Sequence, residues 1–308
     1  MNRFPLYPPP LKKGDTLSII APAGQLKDLE AFSKGICILK EMGFSVKFPK
    51  DLWPGQDYLA DSDKNRADEL NKMFGDPEIN GLIMMRGGYG CLRMMDRIDL
   101  KQIIRNPKII VGFSDISILQ NYLYEKIGMV SLHGPVVTSL HKCSNGALES
   151  FYHCLTGAWH SPVKPPKIEI LRQGPTSSGP LVGGNLASMV TLLGTSYDFN
   201  WEGKIVLLED IDEPPYRIDR MLTQLFLAGK MQNISGLILG DFSISSYIDE
   251  IEKLRYSEQI WTRVLELSAH SAYPVWANFP FGHCPENTAF PLGASATMEK
   301  SKTRLVFT

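Results

Sequence analysis

Asn106-Pro107-Lys108-Ile109-Ile110-Val111-Gly112-Phe113-Ser114-Asp115-Ile116-Ser117 is the stretch on which the fold turns. Its apolar run from Lys108 to Val111 reads as a buried strand, and Gly112-Phe113-Ser114 ends it abruptly before helix-forming residues. A strand feeding a helix through a tight turn is the repeating unit of α/β folds. The turn also suggests chemistry. A serine placed there is pushed out of the sheet edge with Oγ exposed, and the backbone N–H groups after it sit at the positive end of a helix, where they can stabilise an oxyanion. The competing reading is a serine N-cap with Asp115 in the first turn, a common helix start, and on the tripeptide alone it is the favoured one, so other residues must decide.

Upstream, the same alternation recurs. Leu17 to Gly24 reads as a short buried strand ending in a loop, and Leu26 to Met42 carries apolar residues at helical spacing until Gly43 stops it. Ser45 to Phe48 is a strand, Asp61 to Phe74 a charged helix, Gly81 to Met85 an apolar strand and Cys91 to Ile98 a helix. This order predicts a mostly parallel sheet flanked by helices, whose ligands bind beyond the carboxyl ends of the strands. Both Ser114 and the loop Arg86-Gly87-Gly88-Tyr89-Gly90 directly follow strands.

A chain of 308 residues exceeds the size at which one core usually stops growing, so two domains are expected. Proline, glycine and serine gather between Trp159 and Pro180, which places an N-terminal domain at 1–160, a linker at 161–179 and a smaller mixed domain at 180–308. In the second half, strands are expected at Ile205 to Leu208, Leu237 to Leu239 and Arg304 to Phe307. Helices are expected at Asn185 to Leu193, Ile218 to Leu227 and Ile248 to Leu267.

The formal net charge of -1 and the lack of a basic block argue against nucleic acid or an anionic membrane as partner. The proline-rich N-terminus lacks the apolar core of a signal peptide, and no apolar run is long enough to span a bilayer, so a cytoplasmic protein is expected. Five cysteines without Cys-x-x-Cys spacing argue against disulfides and structural zinc.

A serine nucleophile needs a base in hydrogen-bond reach and a carboxylate that orients the base. Of six histidines, His133 follows an apolar stretch, His141, His153 and His160 lie in polar or helix-end settings, and His270 sits near a helix end. His283 differs: glycine and proline frame it in a loop after an apolar segment, a setting suited to presenting a base. Glu209 and Asp210 end the apolar run Ile205-Val206-Leu207-Leu208, with Glu209 the better orienting acid; the alternative is an ion pair between Glu209 and Arg217 or Arg220. The glycines after Arg86 suit an oxyanion donor, because no Cβ blocks a backbone N–H. A dinucleotide fingerprint is not met, since Arg93 occupies the place of the third glycine. Asp210, Asp212 and Glu213 could hold magnesium, though acid-rich turns are more often hydrated. Cys91, at a helix start after the glycine loop, and Cys284, beside His283, are the competing nucleophiles.

Gly112-Phe113-Ser114-Asp115, Arg86-Gly87-Gly88-Tyr89-Gly90, His133-Gly134-Pro135, Gly183-Gly184-Asn185-Leu186, Leu208-Glu209-Asp210 with Tyr216-Arg217-Ile218-Asp219-Arg220, and Gly282-His283 occur in the order and spacing of one family. Over nearly the whole chain, the sequence resembles the LD-carboxypeptidases, the muramoyltetrapeptide carboxypeptidases of murein recycling. The resemblance implies an N-terminal sheet domain like that of class I glutamine amidotransferases, a smaller C-terminal domain, a site in the groove between them, and a homodimer. It implies a serine peptidase in which Ser114 is the nucleophile, His283 the base and Glu209 its orienting acid. Gly88 and Asp115 would supply the oxyanion-hole N–H groups, Asp115 through its backbone. The implied substrate is a cytoplasmic murein tetrapeptide, free or muropeptide-linked, losing its terminal D-alanine at an L,D bond without a metal or other cofactor. Cys284 departs from the small residue expected beside the base. A related branch hydrolyses peptidyl-nucleotide antibiotics as microcin immunity, and a non-catalytic muropeptide-binding protein would retain the same fold; turnover separates these.

Overall fold

The computed structural model describes residues 5–159, 163, 167–246, 249–300 and 303–308. The first half runs β1 (Thr16–Ile20), α1 (Leu29–Glu41), β2 (Ser45–Lys47), α2 (Asp63–Gly75), β3 (Gly81–Met84), α3 (Leu100–Arg105), β4 (Ile109–Gly112), α4 (Ile116–Ile127), β5 (Ser131–His133) and α5 (Asn145–Leu155). The second half runs β6 (Glu169–Arg172), β7 (Ser177–Asn185), α6 (Leu186–Thr191), β8 (Ile205–Ile211), α7 (Pro215–Leu227), β9 (Gly236–Ser243), α8 (Glu250–Leu267), β10 (Val275–Ala277), β11 (Phe290–Leu292), β12 (Ser295–Glu299) and β13 (Arg304–Phe307).

Side-chain caps set several boundaries. Asp28 accepts from the Ala31 N–H, so α1 begins three residues later than the apolar spacing from Leu26 suggests. Ser62 accepts from the Asn65 N–H and starts α2 after Asp61. The expected helix over Cys91 to Ile98 is a 3-10 helix, Cys91–Arg97. The helix expected from Ile248 is described from Glu250, Ile248 itself lying outside the described residues.

The chain forms two compact units, Met1–Trp159 with Pro285–Gly293, and His160–Cys284 with Ala294–Thr308. The first holds a sheet of order β11-β5-β4-β3-β1-β2, parallel except where β11 runs against β5. Leu17, Ile19, Ile83, Val111 and Leu132 share one core with Phe32, Ile36 and Leu39 of α1 and Phe151 of α5. The alternate strand residues Ile20, Leu82, Met84 and Ile110 are also buried, so both faces are covered, and this is why the strands read as unbroken apolar runs. Strand order reverses between β1 and β3, the switch point at which the loops beyond them leave a crevice.

A buried cation ties those two loops together. Arg66 of α2 is 1% exposed. It donates from Nη1 to the Pro22 and Gly90 carbonyls, the latter at 3.0 Å, and from Nε to the Asp61 carbonyl at 3.1 Å. Nη2 pairs with Asp63 at 2.5 Å. The loop after β1 also bonds directly to the loop after β3, Gly24 N–H to Gly87 O at 3.1 Å.

The second unit holds a mixed sheet of order β13-β12-β7-β8-β9-β10-β6, with a parallel centre from β7 to β10 and antiparallel edges. The stretch 161–179, read from composition as a crossing, contributes β6 and the start of β7. β8 lies in the parallel centre and is buried until its last residue, which is what holds Glu209 and Asp210 rigidly.

Arg66→Leu should therefore lower unfolding stability by about 3 kcal/mol, because it strands buried carbonyls without a donor. Urea unfolding checks this beside Lys64→Ala, which removes only the exposed Lys64–Asp68 pair and should change little. Equal losses in the two variants would refute the clasp.

Candidate active site

In the first unit, Ser114 sits immediately past β4 with φ +63°, a left-handed backbone that costs a non-glycine residue free energy. The geometry is that of a nucleophile elbow and not of an ordinary N-cap: α4 begins two residues later at Ile116, and Ser117 N–H returns to Ser114 O at 2.9 Å. Gly87 packs against the serine so closely that a Cβ there would lie 3.0 Å from Ser114 Oγ and 2.9 Å from its Cβ. Gly88 follows with φ +113°. Among the described residues, neither the Gly88 nor the Asp115 N–H donates a hydrogen bond. Ser114, Gly88 and Asp115, singled out from sequence, thus come together around one loop pair.

Asp115 does more than present its backbone. Its carboxylate, 4% exposed, accepts from the Cys91 N–H at 2.8 Å and so pins the end of the glycine loop to the elbow. Burial raises its pKa above the usual carboxylate value, against the hydrogen bond from Cys91.

In the second unit, the Nδ1 of His283 lies 2.7 Å from Oε2 of Glu209, whose side chain is wholly buried. A carboxylate oxygen can only accept, so Nδ1 carries the proton and Nε2 is the ring atom suited to proton exchange. Gly282 makes this contact possible. It has φ +111°, and a Cβ there would come within 2.8 Å of Glu209 Oε2. The loop carrying it is fixed to β9 by Phe279 N–H to Leu239 O at 3.1 Å and Asp241 N–H to Phe281 O at 2.9 Å. Burial alone would push the imidazole pKa down, but the charge and hydrogen bond of Glu209, with Asp210 and Asp241 behind it, outweigh burial and leave it above 6.5.

The other candidates fall away from this chemistry. Asp210 has other partners and accepts from Asn185 Nδ2, Ala187 N and Ile211 N, each at 2.9 Å. Burial, and then the charge of Glu209, push it up to about 6. Asp212 accepts from Ser245 and Glu213 pairs with Arg217, so the three acids weighed against a hydrated turn as a magnesium site are engaged separately. Among the described residues, no group of three or more His, Cys, Asp or Glu is placed to hold a metal. The feared ion pair for Glu209 does not form: Arg217 has Glu213, and Arg220 lies over Tyr216 at 5.5 Å. His133 is buried in β5, stacked on Phe290 at 5.4 Å. His153 and His270 are exposed, His141 is half-buried in a 3-10 helix, and His160 lies outside the described residues. Cys91 is fully buried, and burial followed by the charge of Asp115 raises its pKa well above 9.0, which disfavours the thiolate a nucleophile needs. Cys284 is half-buried in the loop beside His283.

Sequence reading missed Arg66, Gly87, Gly282 and the Asp115 carboxylate. A signal for Arg66 existed: it falls four residues before Leu70 and eight before Phe74, on the buried stripe of α2. The others are close approaches between segments distant in sequence, which no local pattern encodes.

The model of the LD-carboxypeptidase N-terminal domain matches residues 17–134, and that of the LD-carboxypeptidase C-terminal domain matches residues 178–298. The probable murein peptide carboxypeptidase of Bacillus subtilis (strain 168) is 32% identical over 301 residues, covering 96% of this chain and 92% of its own. The murein tetrapeptide carboxypeptidase of Pseudomonas aeruginosa is 30% identical over 259 residues, covering 80% and 81%. Among solved structures, the muramoyltetrapeptide carboxypeptidase from Oxalobacter formigenes superposes with TM-score 0.78 at 26% identity, covering 95% of this chain and 97% of that one. MccF in complex with glutamyl sulfamoyl guanosine superposes with TM-score 0.87 at 21% identity, covering 99% and 98%, a likeness of fold.

The His283–Glu209 pair has a titration signature. By NMR, His283 should titrate above 6.5, and Glu209→Gln should lower that midpoint, since burial then acts with less opposition. A raised folded-state pKa means that the pair's stabilisation is complete below the unfolded value and fades as pH rises through the folded one. The gap in unfolding free energy between wild type and Glu209→Gln should shrink across that window. An unmoved midpoint would refute the coupling.

Proposed function

The chain belongs to the LD-carboxypeptidase family, and from that membership we propose that it is a serine carboxypeptidase releasing terminal D-alanine from murein tetrapeptides by cutting their L,D bond. The reading is of a cytoplasmic, homodimeric enzyme of peptidoglycan recycling. The observation that carries it is the 2.7 Å contact between His283 and a wholly buried Glu209. A buried carboxylate is costly unless paired, and this pairing prepares an imidazole to take a proton at Nε2.

In this mechanism Ser114 Oγ attacks the carbonyl of the L-centre while His283 Nε2 takes its proton and Glu209 stabilises the imidazolium. The N–H groups of Gly88 and Asp115 receive the developing oxyanion. His283 returns the proton to the departing D-alanine amine, then activates the water that opens the acyl-enzyme. The backbone at Ser114, already turned out of the strand, makes attack possible without rearrangement.

If Ser114, His283 and Glu209 act as one unit, Ser114→Ala and His283→Ala should each lower kcat about a thousandfold or more, with little further loss in the double variant. Multiplicative losses, or greater damage from Cys91→Ser, would overturn the assignment.

The substrate is tested separately. A site shaped for an L,D bond should discriminate at least about a hundredfold in kcat/KM between tetrapeptides ending in D-Ala and L-Ala, because a displaced scissile carbonyl loses alignment with the nucleophile. EDTA should leave the preferred reaction untouched. Faster hydrolysis of an aminoacyl-sulfamoyl adenosine than of either peptide would instead assign the chain to peptidyl-nucleotide hydrolysis, and binding without turnover to a muropeptide-binding protein.

A further inference from the structure

The loop after β3 carries a cation that the reaction scheme does not use. Arg86 is half-buried, and its hydrogen bond among the described residues is from Nη1 to the Gln25 carbonyl at 3.0 Å. No carboxylate of the described residues pairs with it. Other half-buried cations of this chain, such as Lys230 and Arg304, face acids at 2.6 and 2.5 Å.

The guanidinium is held in place by backbone. It lies against Gly24, where a Cβ would meet Nε at 3.4 Å and Cζ at 3.6 Å. A Cβ on Gly88 would lie 3.9 Å from Nη2, while a Cβ on the adjoining Gly87 would lie 3.0 Å from Ser114 Oγ. Neighbouring Cα atoms are only about 3.8 Å apart, so one dipeptide of the loop is flanked by the serine hydroxyl on one side and the guanidinium on the other. The Gln25 bond fixes one edge of the fork and leaves Nη2 and Nε as donors of fixed direction.

We propose that Arg86 is the subsite for the free terminal carboxylate of the peptide, the group that makes the enzyme an exopeptidase. The assignment rests on the function proposed above and names its specificity residue. In a peptide cut at its last bond, the terminal carboxylate carbon is three covalent bonds past the scissile carbonyl carbon, about 4 Å away at most. A donor for it must therefore sit beside the oxyanion donors, where Arg86 is. A guanidinium fork matches a carboxylate bidentately and leaves little for a neutral carboxamide, so the charge of the chain end is read directly.

The test uses two tetrapeptides identical except that one ends in D-alanine and the other in D-alaninamide, with the intact protein and its Arg86→Ala and Arg86→Lys variants. Wild type should prefer the free acid at least about a hundredfold in kcat/KM. Arg86→Ala should abolish that preference by losing activity on the acid alone, and Arg86→Lys should retain a preference of about tenfold. Equal losses on both peptides would mean that Arg86 only shapes the loop, and would overturn the subsite while leaving the carboxypeptidase reading intact. Retained discrimination in Arg86→Ala would overturn it equally. Calorimetry on Ser114→Ala with and without Arg86→Ala gives the same comparison without turnover. Acid-selective binding that needs Arg86, in a protein that cleaves neither peptide, would uphold the subsite and sink the proposed function. Binding of neither peptide would overturn both.

Discussion

A serine cannot hold φ +63° cheaply, and the edge of the first unit is organised around keeping Ser114 there. Left-handed backbone at a non-glycine residue costs about 1–2 kcal/mol, so the neighbouring structure must over-determine it. β4 enters the turn from the middle of a sheet buried on both faces, and α4 leaves it with the Ser117 N–H returned to Ser114 O. The Asp115 carboxylate binds the Cys91 N–H, which fixes the start of the 3-10 helix after the glycine loop. Arg66 holds Gly90 from the other side. Serine, glycine loop and the loop after β1 are therefore one mechanically coupled set, and a change at Arg66 should be felt at Ser114.

The second unit solves a different problem, the cost of burying a charge. Glu209 is wholly buried with His283 as partner, an arrangement that would be poor if stability were its only purpose, since a hydrophobic pair of the same size would do as well or better. In the proposed reaction the acid acquires a use, because there the imidazole becomes charged transiently. Asp210 shows the contrast within one dipeptide. With three N–H donors it is a structural cap, and its raised pKa follows from burial and from the charge of its neighbour. The neighbouring acids take different partners, one the histidine and the other the N–H groups at the start of α6.

The α/β alternation of the first half was legible because strands buried on both faces are continuous apolar runs, and helices α1 and α2 carry their own caps. The strands that escaped notice are short or small-residue: Ser131–His133, Val275–Ala277 and Phe290–Leu292 have three residues each and Glu169–Arg172 four, too few for periodicity, Ser177–Asn185 is rich in serine and glycine, and Ser295–Glu299 buries only Ala296 and Met298. The return of residues 285–293 to the first unit is a property of topology, which local pattern does not carry. At the site, residue types with intrinsic chemistry could be chosen from sequence, and Glu209 with His283 meet as expected. What could not be read were glycines whose value lies in the atom they lack: Gly282 against Glu209 and Gly87 against Ser114. A missing Cβ signals nothing until the facing atom is known.

The two units differ in the sign of the groups around their candidate residues. Near Ser114 lie the Gly88 and Asp115 N–H groups and the Arg86 guanidinium, while the Asp115 carboxylate is engaged by the Cys91 N–H and burial raises its pKa. Around His283 the groups are acids, Glu209 in contact with Asp210 and Asp241 behind, and their combined field raises the imidazole pKa in spite of its burial. A donor-rich edge favours negative charge appearing on a substrate oxygen, and an acid-rich loop favours positive charge appearing on a base. Attack of a hydroxyl on a carbonyl creates both charges together. In the proposed reaction the groups of the first unit would favour the negative charge and those of the second the positive one, each by groups already in place before the charge forms.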